Sequence, residues 1–141
     1  MMKYYLAYGS NLNINQMLRR CPDAVKIGAS VIEDYKLVFR RGILNIEPAD
    51  GMCVPVGVWA VSESDEESLD VYEGFPRWYV KQFFRLVVNG KTVRAMAYVM
   101  TPGHPVSPPS RQYYRICAEG YTDFDFDMEP LRTALEKSRN A

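Results

Sequence analysis

The sequence predicts a mixed α+β domain in which short helices flank a curved sheet or a small barrel. Stretches with strand-like patterning outnumber helical ones. Two of these strands are joined by Asn89-Gly90, a dipeptide that strongly favours a tight hairpin turn. The length of 141 residues suits one domain with one core, and we assign residues 1–141 to it.

The first elements predict a strand, a glycine turn and a helix. Residues 3–8 are an apolar run typical of a strand. Residues 13–20 predict a helix with Asn13 or Asn15 as its N-cap, and Cys21-Pro22 ends it. Residues 8–12 therefore form the junction between the two.

Two longer strands follow. Residues 31–40 predict a strand with a bend at Glu33-Asp34, and residues 54–61 predict another. Residues 48–51, Pro-Ala-Asp-Gly, predict a turn between them. The proline and glycine of the second strand, Pro55 and Gly57, indicate a sheet edge, a bulge or a close approach of the backbone.

A helix comes next, and its two ends carry clear signals. Ser64 and Glu67 fit a capping box at its start. Gly74, followed by Pro76, predicts its end.

The rest of the chain predicts a hairpin and two helices. The hairpin strands span residues 79–88 and 92–100. After a proline-rich loop, a helix is expected from Ser110 to about Gly120, and residues 129–137 form a short amphipathic helix.

The charge pattern argues against two classes of partner. The 17 basic and 17 acidic residues give a net charge of zero, so we expect no nucleic-acid binding. No apolar run is long enough to span a membrane and no basic amphipathic helix is present, so we expect no membrane association. The short, tyrosine-rich start does not resemble a signal peptide, which predicts a cytoplasmic protein. The pairs Arg19-Arg20 and Arg40-Arg41 are expected on a solvated face.

The cysteines and the only histidine do not favour a nucleophilic or zinc site. Cys21, Cys53 and Cys117 form no CxxC motif and are expected to be buried or free thiols in a reducing compartment. His104, which would have to activate a thiol or bind a metal, lies in loop sequence.

An acidic run near the end resembles the start of a calcium loop. Asp123, Asp125 and Asp127 have the spacing of its first ligands, but Met128 and Ala134 stand where a glycine and a glutamate are needed. A half-buried strand or turn with its carboxylates facing water is the interpretation we prefer.

The junction Tyr8-Gly9-Ser10-Asn11-Leu12 is the first candidate binding site. Its backbone N–H groups should be free at the start of the following helix, where they suit an anion or a polarised carbonyl oxygen. Gly9 allows a ligand to approach the backbone. No phosphate-loop motif is present, and an ordinary capped strand-to-helix turn is the alternative.

Glu73 is the candidate catalytic carboxylate. It lies in the last turn of its helix, where the helix dipole disfavours ionisation, and it is flanked by Tyr72, Phe75, Trp78 and Tyr79. Burial among these rings would also raise its pKa toward neutrality, as a general base requires. The alternative is a surface glutamate at a frayed helix end.

Taken together, these stretches resemble the γ-glutamylcyclotransferase-like family, which includes the AIG2-like proteins. The matching segments are YGSNL at 8–12, RCP at 20–22, GVWAV at 57–61, LDVYEGFP at 69–76 with Tyr79, AYVM at 97–100 and PSRQY at 109–113. The combination of YGSN, LDxxEG and PSxxY is specific, and the segments cover nearly the whole chain. The stretch after Gly120 departs from the glycine-leucine ending of the better-characterised cyclotransferases, which leaves the leaving group open.

The resemblance implies a twisted, barrel-like sheet with a cavity roofed by the YGSNL loop. It implies cleavage of a γ-glutamyl amide by the substrate's own α-amine, which gives 5-oxoproline and an amine or amino acid, without metal or organic cofactor. Glu73 would act as base and then acid. The other residues that it implies at the substrate are Tyr8, Gly9, Ser10, Asn11, Leu12, Tyr79, Tyr98 and Tyr113.

The expected partner is a small γ-glutamyl substrate, and the expected assembly is a monomer or a weak homodimer. The second hypothesis is a non-catalytic protein that binds a γ-glutamyl or other carboxylated metabolite in the same pocket. A protein acting on nucleic acid or a membrane is disfavoured by the charge pattern.

Overall fold

The computed structural model describes residues 2–141 and contains five strands and four α-helices within them. The strands are β1 (Lys3–Ala7), β2 (Val25–Arg40), β3 (Ile43–Val61), β4 (Tyr79–Val88) and β5 (Lys91–Met100). The helices are α1 (Ile14–Arg20), α2 (Glu63–Glu73), α3 (Arg111–Asp123) and α4 (Glu129–Arg139), and a 3₁₀ turn covers Ser10–Leu12.

The strands form one curled sheet in the order β2-β3-β1-β5-β4. The central strand β1 runs antiparallel to β3 and parallel to β5. The edge strands β2 and β4 meet through side chains: Ser30 Oγ donates to the Val87 carbonyl at 2.6 Å, and Asn89 Nδ2 donates to the Ile27 carbonyl at 2.9 Å. The predicted α+β class with a barrel-like sheet is therefore confirmed.

The predicted turn at residues 48–51 is wrong, because these residues lie inside β3. Residues 49–52 form a bulge opposite Asp34, between the paired residues Glu33–Cys53 and Tyr35–Pro48. The Asp34 carboxylate accepts a hydrogen bond from the Gly51 N–H at 3.0 Å. The bend that the sequence predicts at Asp34 is confirmed by this register shift.

Two helix boundaries also differ from the predicted ones. The N-cap of α2 is Ser62, which forms a reciprocal capping box with Asp65, and not Ser64. Helix α3 continues three residues past Gly120. A Cβ on Gly120 would lie 2.6 Å from the Asn13 backbone nitrogen, so this glycine allows α3 to pack tightly and does not end it.

Other local predictions are confirmed. Asn13 is the N-cap of α1, and its side chain accepts from the Gln16 N–H at 3.2 Å. Gly74 ends α2 in the left-handed conformation, and Asn89-Gly90 joins β4 to β5 with both residues at positive φ.

The core beneath the 3₁₀ turn fixes the start of the candidate site. Leu12 is fully buried, and its side chain lies close to Gly57 and Gly120. Of the three alternatives that the sequence left open at Pro55 and Gly57, the structure shows a close approach to the backbone at Gly57, since a Cβ there would lie 2.6 Å from the Phe124 ring. Trp59, also buried, donates its indole N–H to the Asn11 carbonyl at 3.1 Å.

No helix within residues 2–141 is both long and apolar enough to cross a membrane.

Candidate active site

A cavity of about 530 Å³ opens where the 3₁₀ turn, the end of α2 and the β2–β3 hairpin tip converge. Eight of the nine site residues predicted from the sequence line it. They are Tyr8, Gly9, Ser10, Asn11, Glu73, Tyr79, Tyr98 and Tyr113. The ninth, Leu12, lies outside the cavity lining: its side chain belongs to the core, and its N–H donates to the Gly9 carbonyl at 3.1 Å.

Three backbone N–H groups of the junction remain available to a ligand. Within residues 2–141, the N–H groups of Gly9, Ser10 and Asn11 donate a hydrogen bond to no protein atom. They are the first donors of the 3₁₀ turn, which starts without a side-chain cap. The turn therefore presents neighbouring donors at the cavity wall.

Asn11 holds this turn in place through both ends of its side chain. Its amide nitrogen donates to the Tyr5 hydroxyl at 3.0 Å, and its amide oxygen accepts from the Arg20 guanidinium. The same guanidinium lies 3.6 Å from the centre of the Tyr72 ring. Arg20 was expected on a solvated face, but it supports two residues of the cavity.

Glu73 is the last residue of α2 and faces the same cavity. Burial raises its pKa from 4.5 to about 7, and the positive charge of Arg20 opposes part of that rise. Next to Glu73 in sequence, the Tyr72 hydroxyl forms a 3.0 Å hydrogen bond with Ser10 Oγ. The end of α2 is thereby fastened to the turn that carries the free N–H groups.

Three cavity tyrosines donate their hydroxyl protons within the protein. Tyr8 donates to the Tyr98 carbonyl at 2.6 Å, and Tyr79 donates to the Leu44 carbonyl at 3.1 Å. Tyr98 donates to the carboxylate of Asp70 on α2. These bonds fix the rings that form the cavity wall.

The rim of the cavity carries a cation that the sequence analysis did not find. Arg41 and Gly42 form the two-residue tip of the β2–β3 hairpin, with φ values of 52° and 75°. The Arg41 guanidinium lies 4.3 Å from the centre of the Trp78 ring, and both residues line the cavity. Within residues 2–141, no carboxylate lies within 4.0 Å of the Arg41 side chain. Arg41 is therefore available to an anion.

The other residues considered from the sequence lie outside the cavity lining. His104 packs against Trp78 with a centroid separation of 5.5 Å. The carboxylates of Asp123 and Asp127 accept from the N–H groups of Ile14 and Glu129 at 3.0 and 2.8 Å, so the acidic run forms helix ends and a turn. All three cysteines are free thiols; Cys21 and Cys117 are buried and Cys53 is exposed.

The fold and the cavity define a small α+β protein whose pocket combines one carboxylate with a row of backbone donors. The family described as "Gamma-glutamyl cyclotransferase, AIG2-like" matches residues 5–122. The γ-glutamylcyclotransferase of Homo sapiens is 30% identical over an alignment of 143 positions, gaps included, which covers 89% of this chain and 73% of the relative. That of Bos taurus is 31% identical over an alignment of 138 positions, with the same coverage of both chains.

A solved structure named γ-glutamyl cyclotransferase superposes with a TM-score of 0.83 at 28% identity. The match covers 99% of this chain and 87% of that structure. The chain belongs to the γ-glutamyl cyclotransferase, AIG2-like family, and it is a γ-glutamylcyclotransferase-like enzyme.

Proposed function

We propose that this protein cleaves a γ-glutamyl amide by intramolecular aminolysis and releases 5-oxoproline with an amino acid. The observation that carries the proposal is Glu73, a partly buried carboxyl group of pKa about 7 that faces the cavity lined by residues 9–11, whose N–H groups are free. The name shared by the relatives supports a γ-glutamyl head group.

Starting from an α-ammonium group, the nucleophilic nitrogen has to lose two protons and the leaving nitrogen has to gain one. The Glu73 carboxylate takes the first proton from the substrate's α-ammonium group, and the freed amine attacks the γ-carbonyl carbon, which closes a five-membered ring whose nitrogen releases its second proton to water. An α-amino group has a pKa of about 8, so transfer to a carboxyl group of pKa about 7 costs little. When the tetrahedral intermediate collapses, the bond to the leaving nitrogen breaks and the Glu73 carboxyl group protonates that nitrogen.

The three free N–H groups serve the charge that develops on the carbonyl oxygen. They are fixed by the 3₁₀ turn, whose Asn11 carbonyl is bound by the buried Trp59. Donors that are already oriented stabilise an oxyanion more than they stabilise the neutral carbonyl. The cavity also holds the amine and the carbonyl of one molecule together, which lowers the entropic cost of cyclisation.

Arg41 favours a leaving group that carries a carboxylate. The γ-glutamyl head has to reach the partly buried Glu73, so the leaving group extends toward the exposed rim where Arg41 lies. Burial and the Glu73 charge raise the pKa of Tyr79, and the Arg41 guanidinium opposes that rise. The charges of Glu73 and Arg41 therefore both act on the same cavity side chain. A γ-glutamyl amino acid would place an anion at Arg41, and a γ-glutamylamine would not.

The test is the formation of 5-oxoproline, measured by mass spectrometry, from γ-glutamyl amino acids, γ-glutamylamines and glutathione. Glu73→Gln should abolish turnover while it retains binding, because the amide keeps the shape of the side chain and cannot accept the proton. Glu67→Gln is the matched control, since Glu67 is an exposed residue of the same helix. Product formed equally well by Glu73→Gln would refute the assignment of Glu73. Binding of the same compounds without product, in wild type and variants alike, would identify a binding protein.

A further inference from the structure

Most of the hydroxyl groups in the cavity already donate their protons to protein atoms and are not free to bind a substrate. The protons of Tyr8, Tyr79 and Tyr98 are donated to protein acceptors, as described above. The Tyr72 hydroxyl is shared with Ser10. A ligand could recruit any of these protons only by breaking an existing hydrogen bond, which would cost about as much as the new bond gains.

Tyr113 differs from these tyrosines because its hydroxyl accepts a hydrogen bond from the backbone. The Leu44 N–H donates to the Tyr113 oxygen at 3.1 Å. Within residues 2–141, no oxygen or nitrogen atom takes the Tyr113 proton. The one competing group is the buried Cys117 thiol, which is a weak acceptor. The proton is therefore available to a group in the cavity.

The position of this hydroxyl suits the developing oxyanion. The Tyr113 oxygen lies 3.2 Å from the point that a Cβ on Gly9 would occupy, so it borders the turn whose N–H groups are free. Because Gly9 has no side chain there, the Tyr113 hydroxyl can approach the backbone of the turn this closely. Tyr5 also has an uncommitted proton, but the Glu73 charge contributes to the raised pKa of Tyr5 and not to that of Tyr113, so Tyr5 lies nearer to the carboxyl group than Tyr113 does.

We infer that the Tyr113 hydroxyl joins the N–H groups of Gly9, Ser10 and Asn11 as a donor to the oxyanion formed during cyclisation. This inference rests on the proposed function and deepens it, because it assigns one hydroxyl of the cavity to the reaction and assigns Tyr8, Tyr79 and Tyr98 to the wall. No bond beyond those of the proposed reaction is made or broken.

The chain provides a matched control at the same backbone unit. Tyr79 and Tyr113 each bond to Leu44, the first to its carbonyl and the second to its N–H. Replacing either residue by phenylalanine removes one hydrogen bond of 3.1 Å to Leu44 and one oxygen atom. Only Tyr113→Phe also removes an uncommitted proton.

The experiment compares kcat and KM of Tyr113→Phe and Tyr79→Phe with those of the wild type, together with the thermal unfolding of all three. Loss of one oxyanion donor lowers kcat by about 100-fold in comparable sites, and we expect kcat of Tyr113→Phe to fall at least about tenfold below that of Tyr79→Phe. The KM values and unfolding temperatures of the two variants should stay close to each other, because each variant loses one hydrogen bond to Leu44. If Tyr113 had only a structural role, the two variants would also lose kcat equally.

Equal losses of kcat in the two variants, with an active wild type, would overturn the inference and leave the proposed function intact. A fall confined to binding, seen as a raised KM at unchanged kcat, would also overturn it, because an oxyanion donor acts in the transition state. Absence of 5-oxoproline with the wild type on every substrate would refute the proposed function and this inference together.

Discussion

The raised pKa of Glu73 predicts how the stability of the protein depends on pH. A carboxyl group that binds its proton more tightly in the folded state stabilises the fold only while it is protonated there. Stability from this group is therefore complete below pH 4.5 and declines as pH rises to about 7. Glu73→Gln is neutral at every pH, so this decline is absent from the variant.

The magnitude follows from the size of the change. A rise of the pKa from 4.5 to about 7, at about 1.4 kcal/mol per pKa unit, corresponds to about 3 kcal/mol of free energy of unfolding. We expect the free energy of unfolding of Glu73→Gln, relative to wild type, to increase by about 3 kcal/mol between pH 4 and pH 8. All other titrating groups are shared by the two proteins and cancel in the difference.

The assay is urea unfolding of both proteins, followed by fluorescence or circular dichroism, at half-unit intervals from pH 4 to pH 8. Glu67→Gln serves as control, because an exposed carboxyl group on the same helix should give a nearly constant difference. Parallel stability curves for wild type and Glu73→Gln would refute the reasoning, since they would mean that Glu73 is solvated in the folded state. The same pKa should govern activity, so kcat/KM should rise with pH through about 7 as the free enzyme's carboxyl group ionises.

Three further outcomes are expected. Arg41→Gln should lower kcat/KM for γ-glutamyl-alanine by about tenfold but change it little for γ-glutamyl-alaninamide, which lacks the carboxylate. Arg77→Gln is the control and should change neither value, because Arg77 lies 5.1 Å from the centre of the Trp78 ring but outside the cavity lining. Equal effects of Arg41→Gln on both substrates would contradict the assignment of Arg41. Gly120→Ala should lower the free energy of unfolding by about 1–3 kcal/mol in urea titrations, against the usual gain from alanine in a helix, because its Cβ would lie 2.6 Å from the backbone before α1. A disulfide-exchange reagent should modify Cys53 rapidly in the native protein. It should modify Cys21 and Cys117 only in denaturant, because burial raises their pKa to about 12; rapid reaction of more than one thiol would show that the core opens at the end of α1 or at α3.

The parts of the site that could be predicted are those encoded within a few residues. Glu73 could be found because its helix end, the glycine that stops the helix and the flanking aromatic residues are adjacent in sequence. The junction at 8–12 could be found for the same reason. The predicted environment of Glu73 is only partly correct: among the flanking rings Tyr79 is buried, but Tyr72, Phe75 and Trp78 remain exposed, so the adjacent rings alone do not account for its burial.

The parts that were missed depend on strand register. The turn signal at residues 48–51 suggested a reversal of the chain there, but the pairing of β2 with β3 continues past it and absorbs the extra residues as a bulge. The true reversal is at Arg41-Gly42, where arginine adopts a positive φ that costs roughly 1 kcal/mol. With the reversal misplaced, Arg41 looked like one of a pair of solvated charges.

The misplaced helix cap has a similar cause. Ser62 and Ser64 are each followed three residues later by an acidic residue, so their local signals are equivalent. The structure selects Ser62 because its partner Asp65 is buried, with 2% of its surface exposed, and accepts a hydrogen bond from the Asp23 N–H at 3.4 Å. A contact with residues some forty positions earlier decides between the two.

The position of Glu73 places stability and activity in opposition. The proposed reaction needs the carboxylate form, which is the form that the buried site disfavours, so the enzyme works best at a pH where this group destabilises the fold. The variant Glu73→Gln should accordingly be the more stable protein at pH 8 and the inactive one. Two hydrogen bonds hold the site together against this unfavourable burial: Tyr72 to Ser10 joins the end of α2 to the 3₁₀ turn, and Arg20 to Asn11 joins the end of α1 to it. A site assembled only for stability would have an apolar residue at position 73, and the carboxyl group there is what the proposed reaction requires.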